Sequence, residues 1–275
     1  MNDPVQINFV VALSAEALPV IKYFKLKRVH DISVFEVYRK DNVQLIISGI
    51  GKQNAAVAVG YLAGISETDS IQAWLNAGIA GGEAAKLGEA VLANVIRDEE
   101  SGYTYYPSIC FDTEITQTKI ATINKPAENY RDDALYDMEA SGYYAAASRF
   151  SPSELVHCCK IVSDNTDQGI DHINKESVTA MIDDQIDVIV KLGQELAKLG
   201  AQLVPEENIE KIFSSLTGQF HFTTTQKNRL KILLQNWFAI CKHIDLSQIS
   251  SESIKNASEC LAALDRYVNN CQIRY

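Results

Sequence analysis

Residues 43–51, VQLIISGIG, and residues 73–82, AWLNAGIAGG, decide the fold class, because each joins an apolar run to a cluster of glycines. Apolar runs without alternating charge are typical of strands that are covered on both faces. Glycines that follow such strands permit tight turns and let backbone N–H groups approach a ligand. Simple turns between strand and helix are the alternative interpretation of both clusters.

Strand-like and helix-like patterns alternate through the first part of the chain. Helical patterns at residues 53–64, QNAAVAVGYLAG, and residues 138–150, MEASGYYAAASRF, separate the apolar runs, whereas residues 103–130 are less regular and predict a substrate-facing loop region. This alternation predicts an α/β fold with a largely parallel sheet. The remaining predicted strands are Phe9–Leu13, Ala90–Val95 and Leu155–Val162.

The pattern changes towards the carboxyl terminus. Apolar residues at helical spacing predict one long amphipathic helix over Ser177–Leu199. After Pro205, three further helical patterns have no strand between them, and Thr223 and Gln226 have capping-box spacing before the middle one. We therefore expect an α/β catalytic domain at residues 1–204 and a helical extension at residues 205–275. The three patterns cover residues 206–216, 225–243 and 252–271.

Charge and composition exclude several classes of function. The 35 acidic and 25 basic side chains give a net charge of −10, which disfavours binding to nucleic acid or to an anionic membrane. No segment reaches the roughly 20 consecutive apolar residues of a membrane span, and the amino terminus lacks a basic leader. We expect a cytoplasmic protein that acts on a small molecule.

Cysteine, histidine and glycine spacing argues against common cofactors. The six cysteines show no CxxC pair and the five histidines no ligand pair, so we expect free thiols and no metal site. Neither GxGxxG nor GxxxxGK[ST] occurs, which argues against dinucleotide-dependent dehydrogenases and P-loop kinases.

Three carboxylates occupy positions where an α/β sheet binds ligands. Glu16 follows the first predicted strand, Asp164 follows the run Leu155–Val162, and Glu139 begins a stretch with no other charged residue. A carboxylate in an apolar setting is costly unless it has partners. Structural alternatives remain: Glu16 and Glu139 as acids at helix amino termini, and Asp164 as a helix cap. Together, however, the three predict one crevice at the carboxyl ends of the strands.

Five segments make the resemblance specific, and in their order the chain resembles methylthioadenosine/S-adenosylhomocysteine nucleosidases and related nucleoside phosphorylases over roughly residues 5–200. The resemblance implies a mixed, partly barrel-like central sheet flanked by helices, without metal or organic cofactor. We also expect a homodimer or higher homo-oligomer. The segments are ALSAEALPVI (12–21), SGIGKQNAAVAVGYL (48–62), NAGIAGG (76–82), DMEASGYYAAA (137–147) and KIVSDNTD (160–167).

The resemblance also implies a role for each carboxylate. Glu139 would hydrogen-bond the ribose hydroxyls with Met138 beside the sugar, Asp164 would protonate a purine, and Glu16 would activate water. Breaking an N-glycosidic bond develops positive charge on the ribose and negative charge on the base, so a general acid at the base and carboxylates near the sugar lower the barrier. Further predicted substrate contacts are Gly51, Ala77, Gly78, Ile79, Ser163, Ile123 and Asn124.

Departures from the family pattern leave the reaction type open. The nucleosidases commonly carry Ser at the position of Ile79 and Arg at that of Lys160, which touches the nucleophile side. Arginines that hold phosphate in the phosphorylases are missing, and Lys22, Lys52 and Arg97 cannot be assigned to phosphate. Hydrolysis is favoured. A phosphate-dependent phosphorylase and a non-catalytic nucleoside sensor remain the alternatives.

Overall fold

A computed structural model describes residues 5–66, 71–127, 130, 133–203, 207–241 and 254–272. The chain divides into two compact units, of which residues 3–203 form one and residues 204–275 belong to the other. The first unit contains a sheet flanked by helices, and the second contains helices in its described part.

The sheet of the first unit is mixed and partly closed. Strands β5, β10, β6, β8 and β9 pair in sequence and return to β5, which closes a ring, while β1, β4, β3 and β2 extend the sheet from β5. Strand β1 runs parallel to both β4 and β5, and β10 runs parallel to β5. The structure thus confirms the mixed, partly barrel-like α/β sheet. The strands are β1 Gln6–Val11, β2 Lys27–Arg28, β3 Glu36–Lys40, β4 Val43–Ile47, β5 Gln72–Gly82, β6 Ala90–Asp98, β7 Thr104–Tyr105, β8 Thr116–Thr122, β9 Ala134–Asp137 and β10 Val156–Asp164.

The two glycine clusters have different structural roles. Gly49 (φ 81°) and Gly51 (φ 108°) turn the chain from β4 into the following helix, with backbone angles that other residues rarely adopt. Gly78 and Gly81, by contrast, lie inside β5, which continues to Gly82. The prediction that this second cluster follows its strand is therefore wrong, because the strand runs through the glycines.

Helices cover the sheet of the first unit and follow the predicted alternation, with one correction. The helix predicted over Ser177–Leu199 is two helices that meet at Gln185, whose side chain donates a hydrogen bond to the Gly88 carbonyl at 3.0 Å. Buried apolar residues keep their spacing on both sides of this break, so periodicity does not reveal it. The helices are α1 Ser14–Phe24, α2 Lys52–Gly64, α3 Ala140–Ala147, α4 Lys175–Asp184 and α5 Ile186–Leu203.

The region predicted as a substrate-facing loop is only partly irregular. Strands β7 and β8 lie within residues 103–130. Strand β8 begins with exposed polar residues and becomes buried only from Ile120 onward, so it lacks the apolar run by which β5, β6 and β10 were predicted. Strand β9 was not predicted either.

The second unit has its own apolar core. Its helices are α6 Glu207–Gln219, α7 Thr224–Cys241 and α8 Ala257–Gln272, and residues 242–253 lie outside the described part. The Trp237 and Tyr267 rings stack at 5.6 Å. The predicted capping box is present, since the Thr223 N–H donates to Gln226 Oε1 at 2.9 Å and the Gln226 N–H to Thr223 Oγ1 at 3.3 Å.

The cysteines agree with the sequence expectation where the structure describes them. Cys158, Cys159 and Cys260 are buried free thiols, and Cys110 is an exposed one. None of the described helices combines the length and apolar character needed to cross a membrane.

Candidate active site

A cleft of about 350 Å³ opens at the carboxyl ends of parallel strands in the first unit. The cleft is lined by residues that follow β1 and β4 and by residues at the carboxyl ends of β5 and β10. This is the edge where open α/β sheets bind ligands. The wall is mostly apolar, with side chains such as Ile50, Ile79, Ile123 and Ile170, and the three candidate carboxylates interrupt it.

Glu16 is fixed by main-chain amides. Its Oε2 accepts hydrogen bonds from the N–H groups of Ala12 (3.0 Å) and Leu13 (2.9 Å), and its Oε1 accepts one from Ile79 N–H at 3.0 Å. Burial raises the pKa of Glu16, while the positive charge of Lys160 and these amides oppose the rise. Glu16 thus lies in the first turn of α1, as the structural alternative predicted, and it also lines the cleft.

Glu139 stands at the start of α3 and reaches across to the start of α2. Its Oε1 accepts a hydrogen bond from Gly51 N–H at 2.8 Å, and its Oε2 lies 3.9 Å from Lys160 Nζ. The pKa of Glu139 is raised to about 7: burial is the largest cause, the charge of Lys160 opposes the rise, and the charge of Asp137 adds to it. A carboxylate that titrates near neutrality inside a cleft is a candidate functional group.

Asp164 is the last residue of β10 and accepts two hydroxyl hydrogen bonds. Tyr130 Oη donates to Oδ2, and Ser163 Oγ donates to Oδ1. Helix α4 is capped instead by Asn174, whose side chain accepts from Ser177 N–H. The structure therefore gives Asp164 no helix-capping role and leaves it at the end of the cleft.

The glycines of β5 make room for two of these carboxylates. A β-carbon at Gly78 would lie 2.6 Å from Glu16 Oε1, and one at Gly81 would overlap Asp164 Oδ2. Both distances are far below van der Waals contact. A larger residue at either position would displace the carboxylate that packs against the strand, so these glycines serve side-chain packing and no turn is involved.

The other predicted site residues fall into three groups. Met138, Ile79, Ser163 and Ile123 line the cleft. Two more stand directly behind a lining carboxylate, namely Gly51, which donates to Glu139, and Gly78, which packs against Glu16. The remaining two are not among the lining residues: Ala77 is buried in β5, and the Asn124 side chain donates to Glu100.

Sequence reasoning missed two tyrosines and the partner of a buried lysine. Tyr130 and Tyr136 line the cleft with ring centroids 5.9 Å apart. Lys160 Nζ lies 2.9 Å from Asp137 Oδ2, and both side chains are buried. The tyrosines lie at the end of the predicted loop region and just beyond it, which was a usable signal. Nothing local in the sequence shows that Asp137 faces Lys160.

Two of the three cations considered for phosphate binding, Lys52 and Arg97, are paired with carboxylates. Lys52 Nζ lies 2.8 Å from Asp98 Oδ2 and 2.9 Å from Glu100 Oε2, and Arg97 lies 3.3 Å from Glu99. Burial alone would raise the pKa of Asp98, but Lys52 and neighbouring hydrogen-bond donors lower it to about 2. Among the described residues that line the cleft there is no Lys or Arg.

Comparison with solved structures shows that this fold is shared with 5′-methylthioadenosine nucleosidase and MTA/SAH nucleosidase structures. A 5′-methylthioadenosine nucleosidase of Arabidopsis thaliana in apo form matches with a TM-score of 0.55 and 18% identity, over 70% of this chain and 97% of its own. No family model matches the chain, and no curated protein matches its sequence.

Two bacterial structures show the same likeness. The 5′-methylthioadenosine/S-adenosylhomocysteine nucleosidase of Helicobacter pylori with butyl-thio-DADMe-Immucillin-A has a TM-score of 0.57 at 12% identity, covering 69% of this chain and 99% of its own. That of Colwellia psychrerythraea in complex with adenine has a TM-score of 0.54 at 19% identity, covering 70% and 96%. At these identities the likeness establishes the fold.

Proposed function

We propose that the chain is an N-ribosyl hydrolase that cleaves the N-glycosidic bond of a purine nucleoside or nucleoside thioether. The observation that carries the proposal is the meeting of Glu16, Glu139 and Asp164 in one cleft whose described lining contains no Lys or Arg. A negatively charged cleft suits a reaction in which positive charge develops on the ribose. The butyl-thio-DADMe-Immucillin-A bound by the H. pylori relative and the adenine bound by the C. psychrerythraea relative support the substrate class.

Asp164 is assigned to the departing base. As the C1′–N bond breaks, its electron pair moves onto the base, and Asp164 gives its proton to a ring nitrogen. Transfer of a proton by a positioned acid contributes about 10²- to 10⁴-fold to the rate. Tyr130 and Ser163 orient the two carboxyl oxygens through their hydroxyl groups.

Glu139 and Glu16 are assigned to the sugar and to water. Glu139 Oε2 accepts no hydrogen bond in the described protein and is available for ribose hydroxyls. A carboxylate has about four acceptor positions, and three backbone amides occupy three of those on Glu16. The remaining position can take a proton from water as the water oxygen bonds to C1′.

Hydrolysis is favoured over phosphorolysis on electrostatic grounds. A phosphate ion needs fixed cationic or backbone donors, and Lys52 and Arg97 are paired with carboxylates outside the cleft lining. Burial at this site would remove a phosphate ion from water at a cost in free energy. The neighbouring carboxylates would also repel it. Water needs no such compensation.

The test is incubation of the purified chain with a panel of purine nucleosides and 5′-thioethers, with and without phosphate, followed by chromatography of base and sugar. We expect free base and free ribose at equal rates in both buffers. Strict dependence on phosphate with ribose 1-phosphate as product would make the chain a phosphorylase. Tight nucleoside binding without release of base would favour a sensor.

A further inference from the structure

Lys160 is a buried cation directly behind the candidate cleft. It lies in the middle of β10, four residues before Asp164, and only 2% of its side chain is exposed. Its Nζ lies 2.9 Å from Asp137 Oδ2 and 3.9 Å from Glu139 Oε2. A charge this deeply buried is costly unless it is paired, so the carboxylates around it account for its presence.

Asp137 connects Lys160 to the start of helix α3. Besides the lysine, Asp137 Oδ2 accepts hydrogen bonds from Ala140 N–H at 2.8 Å and from Glu139 N–H at 3.3 Å. Its Oδ1 accepts one from Thr122 Oγ1 at 2.8 Å. The same carboxylate thus binds the lysine and the backbone from which Glu139 projects, so displacement of Lys160 would loosen that backbone.

The groups that face Lys160 come from four elements. They are Glu16 on α1, Asp137 on β9, Glu139 at the start of α3, and the neighbouring thiol of Cys158 on β10. Burial lowers the pKa of Lys160, but these groups together raise it above its ordinary value, so the lysine stays charged.

The effect is reciprocal. Burial raises the pKa of Glu139 and of Glu16, and the charge of Lys160 is the largest influence that opposes both rises. Without it, Glu139 would keep its proton at neutral pH. A protonated carboxyl has lost much of the acceptor capacity that two ribose hydroxyls need.

We propose that Lys160 is a positioning residue that holds Glu139 in place through Asp137 and keeps it charged as an acceptor for ribose hydroxyls. The inference rests on the proposed function, because it assigns Glu139 to the sugar. Lys160 does not line the cleft, and its 3.9 Å separation from Glu139 Oε2 exceeds hydrogen-bond length. It therefore acts through other residues and touches no reacting atom.

The first measurement follows the charge of Glu139 without any substrate. Carbon NMR of protein labelled at the glutamate carboxyl carbons gives its titration midpoint, with the Glu139→Gln spectrum identifying the signal. In Lys160→Met we expect the midpoint to rise by about one pH unit or more, since an opposite charge within ~4–6 Å shifts a carboxyl by that order. Lys160→Arg should return it to the wild-type value. Cys159→Ala, a buried uncharged change on the same strand, should leave it unmoved.

The second measurement follows nucleoside cleavage against pH. At pH 7 we expect KM of Lys160→Met to be about fivefold above wild type, because a rise of the Glu139 pKa by one unit from about 7 lowers its ionised fraction at that pH from about one half to about one eleventh. The gap should narrow at pH 9, where Glu139 is charged in both proteins. Simple structural damage would raise KM equally at both pH values.

A folded Lys160→Met with an unmoved Glu139 midpoint overturns the inference, and so does a KM ratio that stays constant with pH. If the Met variant does not fold, Lys160→Gln, which keeps a polar side chain without the charge, decides by the same two criteria. Failure of the wild-type chain to bind or cleave any nucleoside would overturn the proposed function instead. The NMR titration would then still support or overturn the control of Glu139 by Lys160.

Discussion

The two ends of the parallel strands both bury polar side chains, but in opposite ways. Towards the amino ends of β1, β4 and β5, Asn8 donates a hydrogen bond to Gln72 Oε1 at 2.7 Å and accepts one from Gln44 Nε2 at 2.9 Å. At the carboxyl ends lie Glu16, Asp164 and the cleft. The polar side chains at the amino ends are thus neutral amides that hydrogen-bond one another, whereas those at the carboxyl ends are carboxylates.

The difference separates a structural use of buried polarity from a functional one. The amides satisfy one another, apart from Gln44 Oε1, and lock three strands together. The carboxylates are held by backbone amides and hydroxyls, yet retain acceptor capacity beside an open volume. Burial of polar groups alone therefore does not mark a site. A functional site is indicated where buried polar groups are charged, keep unused acceptor positions and lie beside a cavity.

The largest expected effect is that of Asp164→Asn, which removes a carboxylate at the carboxyl ends of the strands. An amide nearly matches the carboxyl in shape but cannot protonate the base, so kcat on purine nucleosides should fall by about 10²- to 10⁴-fold. Thermal unfolding should change little, because the amide oxygen still accepts a hydroxyl hydrogen bond. Steady-state kinetics and calorimetry measure both quantities, and a kcat near that of wild type would remove Asp164 from the acid role.

A smaller loss should follow from Gly78→Ala. Its methyl group would lie 2.6 Å from Glu16 Oε1 and force that carboxylate away from the Ile79 amide. Because a displaced base keeps part of its contribution of about 10²- to 10⁴-fold, we expect kcat to fall by about 10- to 100-fold. The matched control is Gly60→Ala on α2, where nothing lies within 4 Å of the added carbon. It should keep wild-type kcat and gain about 0.4–1 kcal/mol of stability. Equal kcat values for both variants would contradict the positioning of Glu16 by β5.

At the neutral end, Asn8→Ala should damage stability alone. The change removes the hydrogen bonds that Asn8 makes with Gln72 Oε1 and Gln44 Nε2, and loss of the partner of a buried donor costs about 1–3 kcal/mol. Denaturant unfolding measures the cost, and kcat at a temperature where the variant is folded should match wild type. A large fall in kcat without loss of stability would mean that the amino ends also serve the reaction.

The smallest effect concerns the pH dependence of stability. Because the pKa of Glu139 rises from 4.5 unfolded to about 7 folded, the native state holds this proton more tightly. The stability that results is complete below pH 4.5 and is lost as the pH rises through 7. Glu139→Gln lacks this loss, so between pH 6 and pH 8 it should gain about 1–2 kcal/mol relative to wild type. Denaturant unfolding at both pH values tests the sign, and parallel curves for the two proteins would contradict it.

The sequence was informative where a strand carries a run of buried apolar residues. The run Val43–Ile47 coincides with β4, and Leu155–Val162 lies almost wholly within β10. Strand β8, half-exposed and polar at its start, carries no such run. The break at Gln185 was invisible because the apolar spacing of the two helices continues through it.

The site was predictable in its acids and less so in their surroundings. Position after a strand placed Glu16 and Asp164 correctly at the cleft. The pairing of Lys160 with Asp137 joins β10 to β9, two strands that do not pair with each other, so it depends on the closure of the sheet into a ring. The interpretation of the second glycine cluster failed for a similar reason, since the carboxylates that need its space come from elsewhere in the chain.

Gly142 on α3 sets a limit on how this fold can diverge. A β-carbon there would overlap the carbonyl oxygen of Lys52, and a main-chain atom cannot rotate away as a side chain can. Drift in sequence should therefore spare this position, while Gly60 and Gly218, which face open space, are free to change. The solved structures compared above share fewer than one residue in five with this chain. Gly142 is therefore a position by which more distant proteins that pack α3 against the start of α2 in this way can be recognised.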